Sequence, residues 1–307
     1  MQLFPARYEL KYRLTSSRAR QLIRSLDGFV RVDAHGEAGE SGAPSTSWLR
    51  PEDASQPGGA YHVRSLYFDT PGLDAYHGKL AGLQTRAKLR LRTYGVSGSQ
   101  AFLELKRKEG PFILKSRIAL PRHAPWQEHG VRLLEWLRSE LEGGRRPDWH
   151  PGPVEPSLET MLFCPGLRPV ALIAYERLAY AGEGPRNPRI TFDTDVRGAG
   201  AAQILTRDVL RPVLGGVVVL ELKFTTAMPG FMAALVSGFG LEADSISKYC
   251  HVLEGIAPFF RNGRGAGVIQ EGLGYPDTML LYHAPATGSL RAFATVPPPL
   301  DPRTLPQ

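Results

Sequence analysis

The chain of 307 residues contains only two cysteines, Cys164 and Cys250. They lie far apart and lack the close pairs of zinc sites, so neither a metal knuckle nor a disulfide framework is indicated. No apolar run approaches the length of a membrane span, and the charged N-terminus lacks the apolar core of a signal peptide. The sequence therefore predicts a protein of the reducing cytoplasm with no membrane segment in this chain.

Several enzyme motifs are also missing from the sequence. The eight histidines form neither an HxxxH nor an HExxH spacing, which argues against a histidine-based zinc site. The pattern Gly-x-x-x-x-Gly-Lys-Ser/Thr does not occur, so a P-loop nucleotide fold is disfavoured. No internal repeat is found at the periods of solenoid proteins.

The charge balance is moderately basic. Lys and Arg number 37 against 30 Asp and Glu, which gives a formal net charge of +7 and a pI near 9.5. This excess favours acidic partners such as phosphates. Nucleic acid is disfavoured as a partner, because the cations lie on predicted strands without a recognition helix or the interleaved aromatic residues of single-strand binders. A hydrophobic content of 42% is enough for a substantial globular core.

The most informative feature present is a set of cations and carboxylates at alternate positions of strand-like segments. Since side chains alternate across a strand, each set projects from one face, and the other face is apolar in several segments. A single segment of this kind is typical of a strand with one face in water. Together they indicate a barrel with charged faces inward, suited to a polyanion and a divalent metal. The sets are Glu9-x-Lys11-x-Arg13, Lys88-x-Arg90-x-Arg92, Glu104-x-Lys106-x-Lys108, Lys115-x-Arg117, Arg189-x-Thr191-x-Asp193 and Glu221-x-Lys223.

The segment order is strand, helix, a meander of strands, a helical middle section and further strands. Thr15-Ser16-Ser17 is the predicted N-cap segment of the first helix, and Asp244 or Ser245 is the predicted N-cap of a last helix over 245–256. We predict one domain over residues 1–262, with a mobile Gly- and Pro-rich insertion at about 33–60, and a flexible tail over 263–307. The predicted strands cover residues 8–14, 61–69, 87–94, 101–107, 112–120, 170–182, 189–196 and 217–224.

A series of short motifs occurs in the order seen in the VTC domain. The chain resembles the polyphosphate polymerase domain of the vacuolar transporter chaperone family, in its bacterial stand-alone form, within the triphosphate tunnel (CYTH-like) metalloenzyme superfamily. The resemblance covers roughly residues 3 to 260. Its motifs are Tyr8-Glu-Leu-Lys-Tyr-Arg13, Ser65-Leu-Tyr-Phe-Asp-Thr70, Lys88-Leu-Arg-Leu-Arg-Thr-Tyr-Gly95, Leu103-Glu-Leu-Lys106, Tyr175-Glu-Arg177, Arg189-Ile-Thr-Phe-Asp193, Leu220-Glu-Leu-Lys223 and Ser247-Lys-Tyr249.

The resemblance implies an α+β fold, an antiparallel eight-stranded β-barrel that forms a triphosphate tunnel with helices packed outside. It also implies a metal-dependent polyphosphate polymerase, a phosphotransferase that moves the terminal phosphoryl group of ATP to inorganic polyphosphate or pyrophosphate. Two alternatives stay open: a tripolyphosphatase or nucleoside triphosphatase of the same fold, and a non-catalytic polyphosphate or nucleotide binder. A membrane-bound partner also stays open, because the membrane helices of the eukaryotic polymerases have no counterpart here.

Site residues follow from the resemblance by matching motifs. Glu221 is the expected metal ligand for Mn²⁺ or Mg²⁺, both of which prefer oxygen donors. Glu9, Glu104, Asp193 and Glu176 are expected either to orient the cations or to share the metal. The expected catalytic residues are Arg90, Arg92, Lys106, Arg177, Arg189 and Glu221. The expected phosphate ligands are Lys11, Arg90, Arg92, Lys106, Lys115, Arg177, Arg189, Lys223 and Lys248.

Some neighbouring residues have a purely structural interpretation. Tyr67, Phe68 and Phe192 are predicted to be core residues, because aromatic side chains favour strands. Asp69 is predicted to be a strand-end residue or the cap of the short helix that follows it. One departure from the wider superfamily concerns the first strand, where Glu9-x-Lys11-x-Arg13 replaces the usual Glu-x-Glu-x-Lys. A cation in place of a carboxylate argues against a two-metal hydrolase and favours the polymerase branch.

Overall fold

The computed structural model describes residues 7–33, 60–95, 98, 100–110, 112–128, 130–144, 147–150, 154–182, 188–200 and 210–256. All of them belong to one compact unit. The predicted tail over 263–307 and nearly all of the predicted insertion at 33–60 lie outside the described residues. The domain bounds therefore stay predictions.

Eight strands form one antiparallel sheet in the order β1-β10-β8-β7-β3-β4-β5-β6, with the short β2 paired to β7 and the short β9 to β8. The α+β class and the eight-stranded antiparallel sheet are thus confirmed. The strands are β1 Arg7–Thr15, β2 Arg31–Val32, β3 Tyr61–Asp69, β4 Thr85–Tyr94, β5 Ala101–Glu109, β6 Phe112–Ala119, β7 Arg168–Ala181, β8 Arg189–Gly200, β9 Arg211–Pro212 and β10 Val217–Thr225.

The sheet curls into a half-barrel. Within the described residues no ladder joins β1 to β6, the two ends of the sheet order. The curl nevertheless brings opposite strands close, because Lys106 Nζ of β5 lies 2.7 Å from Glu9 Oε2 of β1. This concave form is consistent with the triphosphate tunnel fold that the resemblance implies.

Two groups of helices cover the convex face. Leu133, Leu134 and Leu137 of α3 pack with Leu158 and Leu162 of α4 over the apolar side of β3, β4 and β5. In the same way α1 and α5 pack over β8 and β10. The helices are α1 Ser16–Arg24, α2 Asp74–Leu80, α3 Gly130–Leu141, α4 Pro156–Leu162, α5 Gly230–Gly238 and α6 Lys248–Ile256, and a 3-10 turn over Glu142–Gly144 follows α3.

The last helix, α6, departs from the prediction that helices pack outside. Its Tyr249, Val252 and Leu253 share an apolar cluster with Val63 and Ile173, whose side chains point to the concave side of the sheet. The helix therefore fills one part of the half-barrel from within. Its amino end, and with it Lys248, is placed beside the charged rows of the sheet.

Local capping shows both a confirmed and a wrong prediction. Thr15 Oγ1 accepts a hydrogen bond from Arg18 N at 3.3 Å, so Thr15 caps α1 as predicted. The predicted caps of α6 were wrong: the helix begins at Lys248, and Ser247 Oγ accepts from Cys250 N at 3.3 Å. The chain before it has no regular secondary structure and is tied to β1, where Lys11 O accepts from Asp244 N at 2.8 Å.

Asp69 is a structural residue, as predicted. Its carboxylate accepts from Thr70 N at 2.8 Å and from Ala75 N at 3.0 Å, at the beginning of α2. It also accepts from the Tyr249 hydroxyl at 2.5 Å, which connects α2 to α6. Phe68 and Phe192 are buried in the convex-side clusters and are confirmed as core residues.

Candidate active site

The strand register brings the predicted charged rows together on the concave face. Glu9 lies opposite Lys223 and Lys11 opposite Glu221, so Lys11 of β1 and Lys223 of β10 each face a carboxylate. Arg90 lies opposite Glu104 in the same way. Such cross-strand pairs of opposite charge stabilise the sheet and hold each side chain in place.

The first group, called here the Glu221 cluster, contains Glu221, Asp193 and the cations around them. Glu221 lies within 4 Å of four cationic groups: Lys223 at 2.7 Å, Lys11 and Lys248 at 3.4 Å, and Arg177 at 3.7 Å. Burial alone would raise the pKa of Glu221, but these cations hold the pKa well below its usual range. The carboxylate is therefore fully ionised near neutral pH.

Asp193 completes this cluster and fixes the position of two cations. Arg177 donates two hydrogen bonds to the Asp193 carboxylate, at 2.6 and 2.7 Å, and Lys248 Nζ lies 2.5 Å from Oδ2. Such a bidentate pair orients the guanidinium plane. Lys248 is thus not a surface lysine on a helix, because its ammonium group lies between Asp193 and Glu221.

The second group, called here the Glu104 cluster, places four cations around one carboxylate. Arg90 lies 2.7 Å from Glu104, Lys115 3.1 Å, Arg117 3.5 Å and Arg92 3.8 Å. Glu104 is only 1% exposed, and the arginines outweigh the effect of burial so that its pKa is lowered. Burial lowers the pKa of Lys115 to about 8, even though Glu104 lies beside it. The cluster therefore carries a clear excess of positive charge.

Neutral hydroxyl groups hold the arginines of the Glu104 cluster. Arg90 Nη1 donates to the Tyr67 hydroxyl at 3.0 Å, while Arg92 donates to Ser65 Oγ at 3.0 Å and to the Tyr175 hydroxyl at 3.2 Å. Burial would raise the pKa of Tyr67, but Arg90 and Arg92 lower it to about 8. The prediction that Tyr67 is a core residue is confirmed for its ring, which is half-buried against an apolar cluster and stacks on Tyr249 with ring centres 5.1 Å apart, but it missed the contact of the hydroxyl with Arg90. Tyr67 lies two residues after Ser65 and between the apolar Leu66 and Phe68. This alternation indicates that its side chain points to the concave face of the sheet.

Lys88 is a concave-face cation that was absent from the expected ligands. It donates to Ser247 Oγ at 3.2 Å, and its Nζ lies 5.1 Å from the centre of the Tyr249 ring. Among the described residues, no carboxylate lies within ion-pair distance of it. Burial lowers its pKa, since little opposite charge compensates the lost hydration.

Most of the expected site residues come together, and two candidates do not. Arg189 lies at the beginning of β8, where it pairs with Asp33 at 2.9 Å and is 40% exposed. Glu176 faces the side of the sheet opposite to Arg177, and burial raises its pKa to about 7. The residues that line the concave face together are Lys11, Arg90, Arg92, Lys106, Lys115, Arg177, Glu221, Lys223 and Lys248.

The concave face as a whole is strongly cationic. Ten lysine and arginine side chains surround the four carboxylates Glu9, Glu104, Asp193 and Glu221, an excess of six positive charges over the residues described. Because the surrounding protein has a low dielectric constant, this concentration of positive charge attracts multiply charged anions. The ten cations are Lys11, Lys88, Arg90, Arg92, Lys106, Lys115, Arg117, Arg177, Lys223 and Lys248.

Residues 6–256 match the VTC domain, which covers most of the chain and all of the concave site. The chain belongs to the VTC domain family. The suspected resemblance is thereby confirmed. Membership supports an enzyme that acts on triphosphate or polyphosphate substrates.

Two solved structures are similar to this VTC domain protein in overall fold. One is a putative adenylyl cyclase from Hippeastrum, described as having a dominant triphosphatase activity, with 17% identity and a TM-score of 0.36 over 80% of this chain and 95% of that chain. The other is the PH1819 protein from Pyrococcus horikoshii OT3, with 11% identity and a TM-score of 0.37 over 81% and 99% of the two chains. Because both TM-scores lie below 0.5, neither similarity bears on the function. No curated protein matches the chain.

The carboxylates fit a metal ion that arrives with its substrate better than a resident ion. No group of three or more His, Cys, Asp or Glu side chains arranged to hold a metal occurs in the part of the chain that the structure describes. Mg²⁺ in phosphoryl-transfer sites is held by one or two carboxylates, with phosphate oxygens and water as the other ligands. Glu221 is buried, ionised and central among the cations of the concave face, which suits that role.

Among the residues that the structure describes, no helix has both the length and the apolar character needed to cross a membrane.

Proposed function

We propose that this protein is a metal-dependent polyphosphate polymerase that transfers the terminal phosphoryl group of ATP to a growing inorganic polyphosphate chain. The observation that carries the proposal is the Glu104 cluster, in which four cations share a single carboxylate. A donor and an acceptor that are both polyphosphates need many cations and few competing carboxylates. Membership of the VTC domain family supports the same conclusion.

The chemistry of phosphoryl transfer fits this arrangement. An oxygen of the acceptor phosphate forms a bond to the terminal phosphorus of ATP while the bond from that phosphorus to its bridging oxygen breaks. ADP leaves with the electron pair of the broken bond. The acceptor oxygen is already ionised, so no protein base has to remove a proton. Catalysis can then come from positioning and from cations that stabilise the spread negative charge.

The two clusters supply those cations from opposite walls of the half-barrel. Arg90 and Arg92 are held by Tyr67, Ser65 and Tyr175, so their guanidinium groups need little reorganisation when a phosphate binds. Arg177 and Lys248 are held in the same way by Asp193 on the other wall. We assign phosphate-binding roles to these residues and to Lys11, Lys106, Lys115 and Lys223. Arg189, at the beginning of β8, would contact a bound polyphosphate chain only at one end.

We further propose that Glu221 holds a divalent ion, Mn²⁺ or Mg²⁺, together with substrate phosphate oxygens. When bound, the ion supplies positive charge that neutralises the phosphates between donor and acceptor. The first strand supports one such ion rather than two. Its Lys11 ammonium group lies 3.4 Å from both Glu9 and Glu221, so a cation lies next to both carboxylates.

The cellular setting is proposed on similar grounds. Both cysteines are free, which suits the reducing cytoplasm. The substrates proposed here, ATP together with pyrophosphate or polyphosphate, are available there.

The proposal is tested by incubating the purified protein with ATP and Mn²⁺, with and without pyrophosphate as a primer, and resolving the products on a gel stained for polyphosphate. We expect a ladder of chains that extends faster with the primer. Free phosphate alone would identify a triphosphatase, and binding without any product would identify a binding module.

Glu221→Gln is the matched variant for this assay. It keeps the shape of the side chain but removes the charge that would hold the ion, so the ladder should disappear while binding of tripolyphosphate in the absence of metal is kept. A ladder of normal strength from Glu221→Gln would remove Glu221 as the metal ligand.

A further inference from the structure

Three aromatic side chains lie on the concave side of adjacent strands, next to the Glu104 cluster. They are Tyr61 of β3, Tyr94 of β4 and Phe102 of β5, and all are half-buried. The ring centres of Tyr61 and Tyr94 lie 6.1 Å apart, and those of Tyr94 and Phe102 lie 5.9 Å apart. They form a continuous aromatic surface across three strands.

This surface shares its arginines with the phosphate-facing cations. The guanidinium carbon of Arg117 lies 3.7 Å from the centre of the Phe102 ring and 5.5 Å from that of Tyr94. The guanidinium carbon of Arg92 lies 5.9 Å from the Tyr94 ring. Both arginines also contact Glu104, at 3.5 and 3.8 Å. The rings are therefore separated from the phosphate-facing cations by the width of one guanidinium group.

Core packing does not account for the whole surface. Tyr61 and Tyr94 pack against the apolar cluster that contains Val63. Phe102, in contrast, belongs to none of the three apolar clusters of the described residues, and its ring packs against Arg117 and Tyr94. Inorganic polyphosphate has no group that would use such a ring. A nucleobase does, because it stacks on aromatic faces and on guanidinium planes.

We propose that Tyr61, Tyr94, Phe102 and Arg117 form a platform that binds the base of a nucleoside triphosphate whose phosphates lie on the concave cations. The inference rests on the proposed function, because it takes a nucleotide as the phosphoryl donor. The platform orients the nucleotide so that its α-phosphate lies near Arg92 and Arg117. Its terminal phosphate then points along the half-barrel, away from the rings. The protein therefore distinguishes a nucleoside triphosphate from inorganic tripolyphosphate by the base.

Calorimetric titration of ATP and of inorganic tripolyphosphate tests this platform. The titrations are done in one buffer with EDTA, so that metal-dependent turnover does not occur. Phe102→Leu and Tyr94→Leu remove a ring but keep an apolar side chain. Tyr8→Leu is the control, since Tyr8 is 48% exposed and stacks on Phe224 away from the concave face.

We expect the Kd for ATP to rise about tenfold in Phe102→Leu and in Tyr94→Leu, which corresponds to about 1.4 kcal/mol. The Kd for tripolyphosphate should stay within about twofold of the original protein, and Tyr8→Leu should change neither. An equal loss for both ligands, or an unchanged Kd for ATP, would overturn the platform. If Tyr94→Leu fails to melt cooperatively, Phe102→Leu decides the question.

The two proposals fail in different ways. The ring variants can lose affinity for ATP but not for tripolyphosphate while no polyphosphate ladder forms. In that case the polymerase proposal is wrong and the platform is supported. If a ladder forms and the variants lose no affinity for ATP, only the platform falls. If neither ligand binds the original protein, both are wrong.

Discussion

Lys88 is a cation without a compensating negative charge among the described residues. Its ammonium group is half-buried, contacts the neutral Ser247 and Tyr249, and has no carboxylate partner within the described residues. A cation that has lost part of its hydration without gaining a counter-ion destabilises the fold. Such a group is useful where a bound anionic substrate supplies the missing negative charge, although it lowers the stability of the free protein slightly.

Replacing Lys88 with methionine should therefore separate stability from binding. Lys88→Met is expected to raise the melting temperature by about 2–4 °C, the shift that about 1 kcal/mol causes in a domain of this size. It should weaken tripolyphosphate binding roughly tenfold or more, as expected from the loss of a charged hydrogen bond. Thermal melting and calorimetry measure the two effects.

Arg132→Met is the control for that variant, because it removes the same charge from a side chain that is 70% exposed and pairs with Glu128. Its affinity for tripolyphosphate should change by less than about threefold. A lower melting temperature in Lys88→Met together with unchanged binding would show that Lys88 is an ordinary structural lysine.

Glu176 makes stability depend on pH. Burial, assisted by Asp195, raises its pKa to about 7, whereas the unfolded chain releases this proton near pH 4.3. The folded state therefore binds the extra proton between these values, and stability falls as the pH rises from about 4 to 7. Above that range the loss is constant, on the order of 3 kcal/mol, because one pKa unit corresponds to about 1.4 kcal/mol.

Glu176→Gln should remove this loss. We expect the variant to be more stable than the original protein at pH 8 and about equally stable at pH 4.5, as measured by the urea midpoint at each pH. Glu128→Gln, in which an exposed carboxylate next to Arg132 is changed, should show little difference at either pH. A gain in Glu176→Gln that is the same at both pH values would mean that the pKa of Glu176 is ordinary.

Sequence patterns predicted the charged residues of the site better than the neutral ones. Alternation alone indicated Lys11, Arg90, Arg92 and Glu221, because charged rows are conspicuous opposite apolar rows. The roles of Tyr67 and Tyr175 could not be read in this way, since a strand tyrosine suits both a core and a polar cavity. Their hydroxyl contacts with Arg90 and Arg92 depend on pairing between distant strands.

At the scale of elements, α6 positions one cation of the candidate site, because it carries Lys248 on the concave side. Gly198 of β8 permits the close approach of this helix, since a side chain at that position would overlap the methyl groups of Val252. The contact between β8 and α6 thus determines how far Lys248 reaches toward Asp193 and Glu221.

Gly198→Ala should move α6 away from β8. We expect a loss of about 1–3 kcal/mol in the free energy of unfolding, as for other overpacked sites, together with a marked fall in activity as Lys248 moves from Asp193. Chemical unfolding and the product assay measure the two effects. Gly215→Ala is the control, because no atom lies within 4 Å of the added carbon and its φ is not positive.

Adding Val252→Ala to Gly198→Ala should restore activity, because the smaller side chain makes room for the new methyl group. The two changes would then be strongly non-additive. Simple additivity of their effects on unfolding would contradict the close contact between β8 and α6.

Most elements were predictable from local pattern, and the position of α6 was not. The strand at 61–69 was predicted with its observed bounds, since turn residues and alternation mark both ends. The apolar positions of α6, such as Tyr249, Val252 and Leu253, show that one side of the helix is buried. They do not show which face of the sheet buries it, because both faces offer apolar residues.

At the scale of the whole molecule, the half-barrel concentrates positive charge where two walls face each other. The pairing of β1 with β10 joins opposite ends of the chain, and it places Glu9 within reach of Lys106. Local hairpins such as β4, β5 and β6 follow from turn signals. This long-range pairing has no local signal, so the alternating charges indicated a barrel but not which strands pair in it.

The charge excess should make ligand binding sensitive to salt. We expect the Kd for tripolyphosphate to rise on the order of tenfold between about 0.05 and 0.5 M NaCl, because salt shortens the range of the attraction. A Kd that does not change over this range would mean that the ligand binds away from the concave face.

The most direct test of the polymerase is the fate of the transferred phosphorus. Phosphorus NMR of a reaction with ATP, Mn²⁺ and a pyrophosphate primer records ADP, free phosphate and internal polyphosphate groups over time. We predict that internal groups increase in step with ADP while free phosphate stays a minor product. Free phosphate that appears in equal amount to ADP, with no internal groups, would contradict the polymerase and identify a hydrolase.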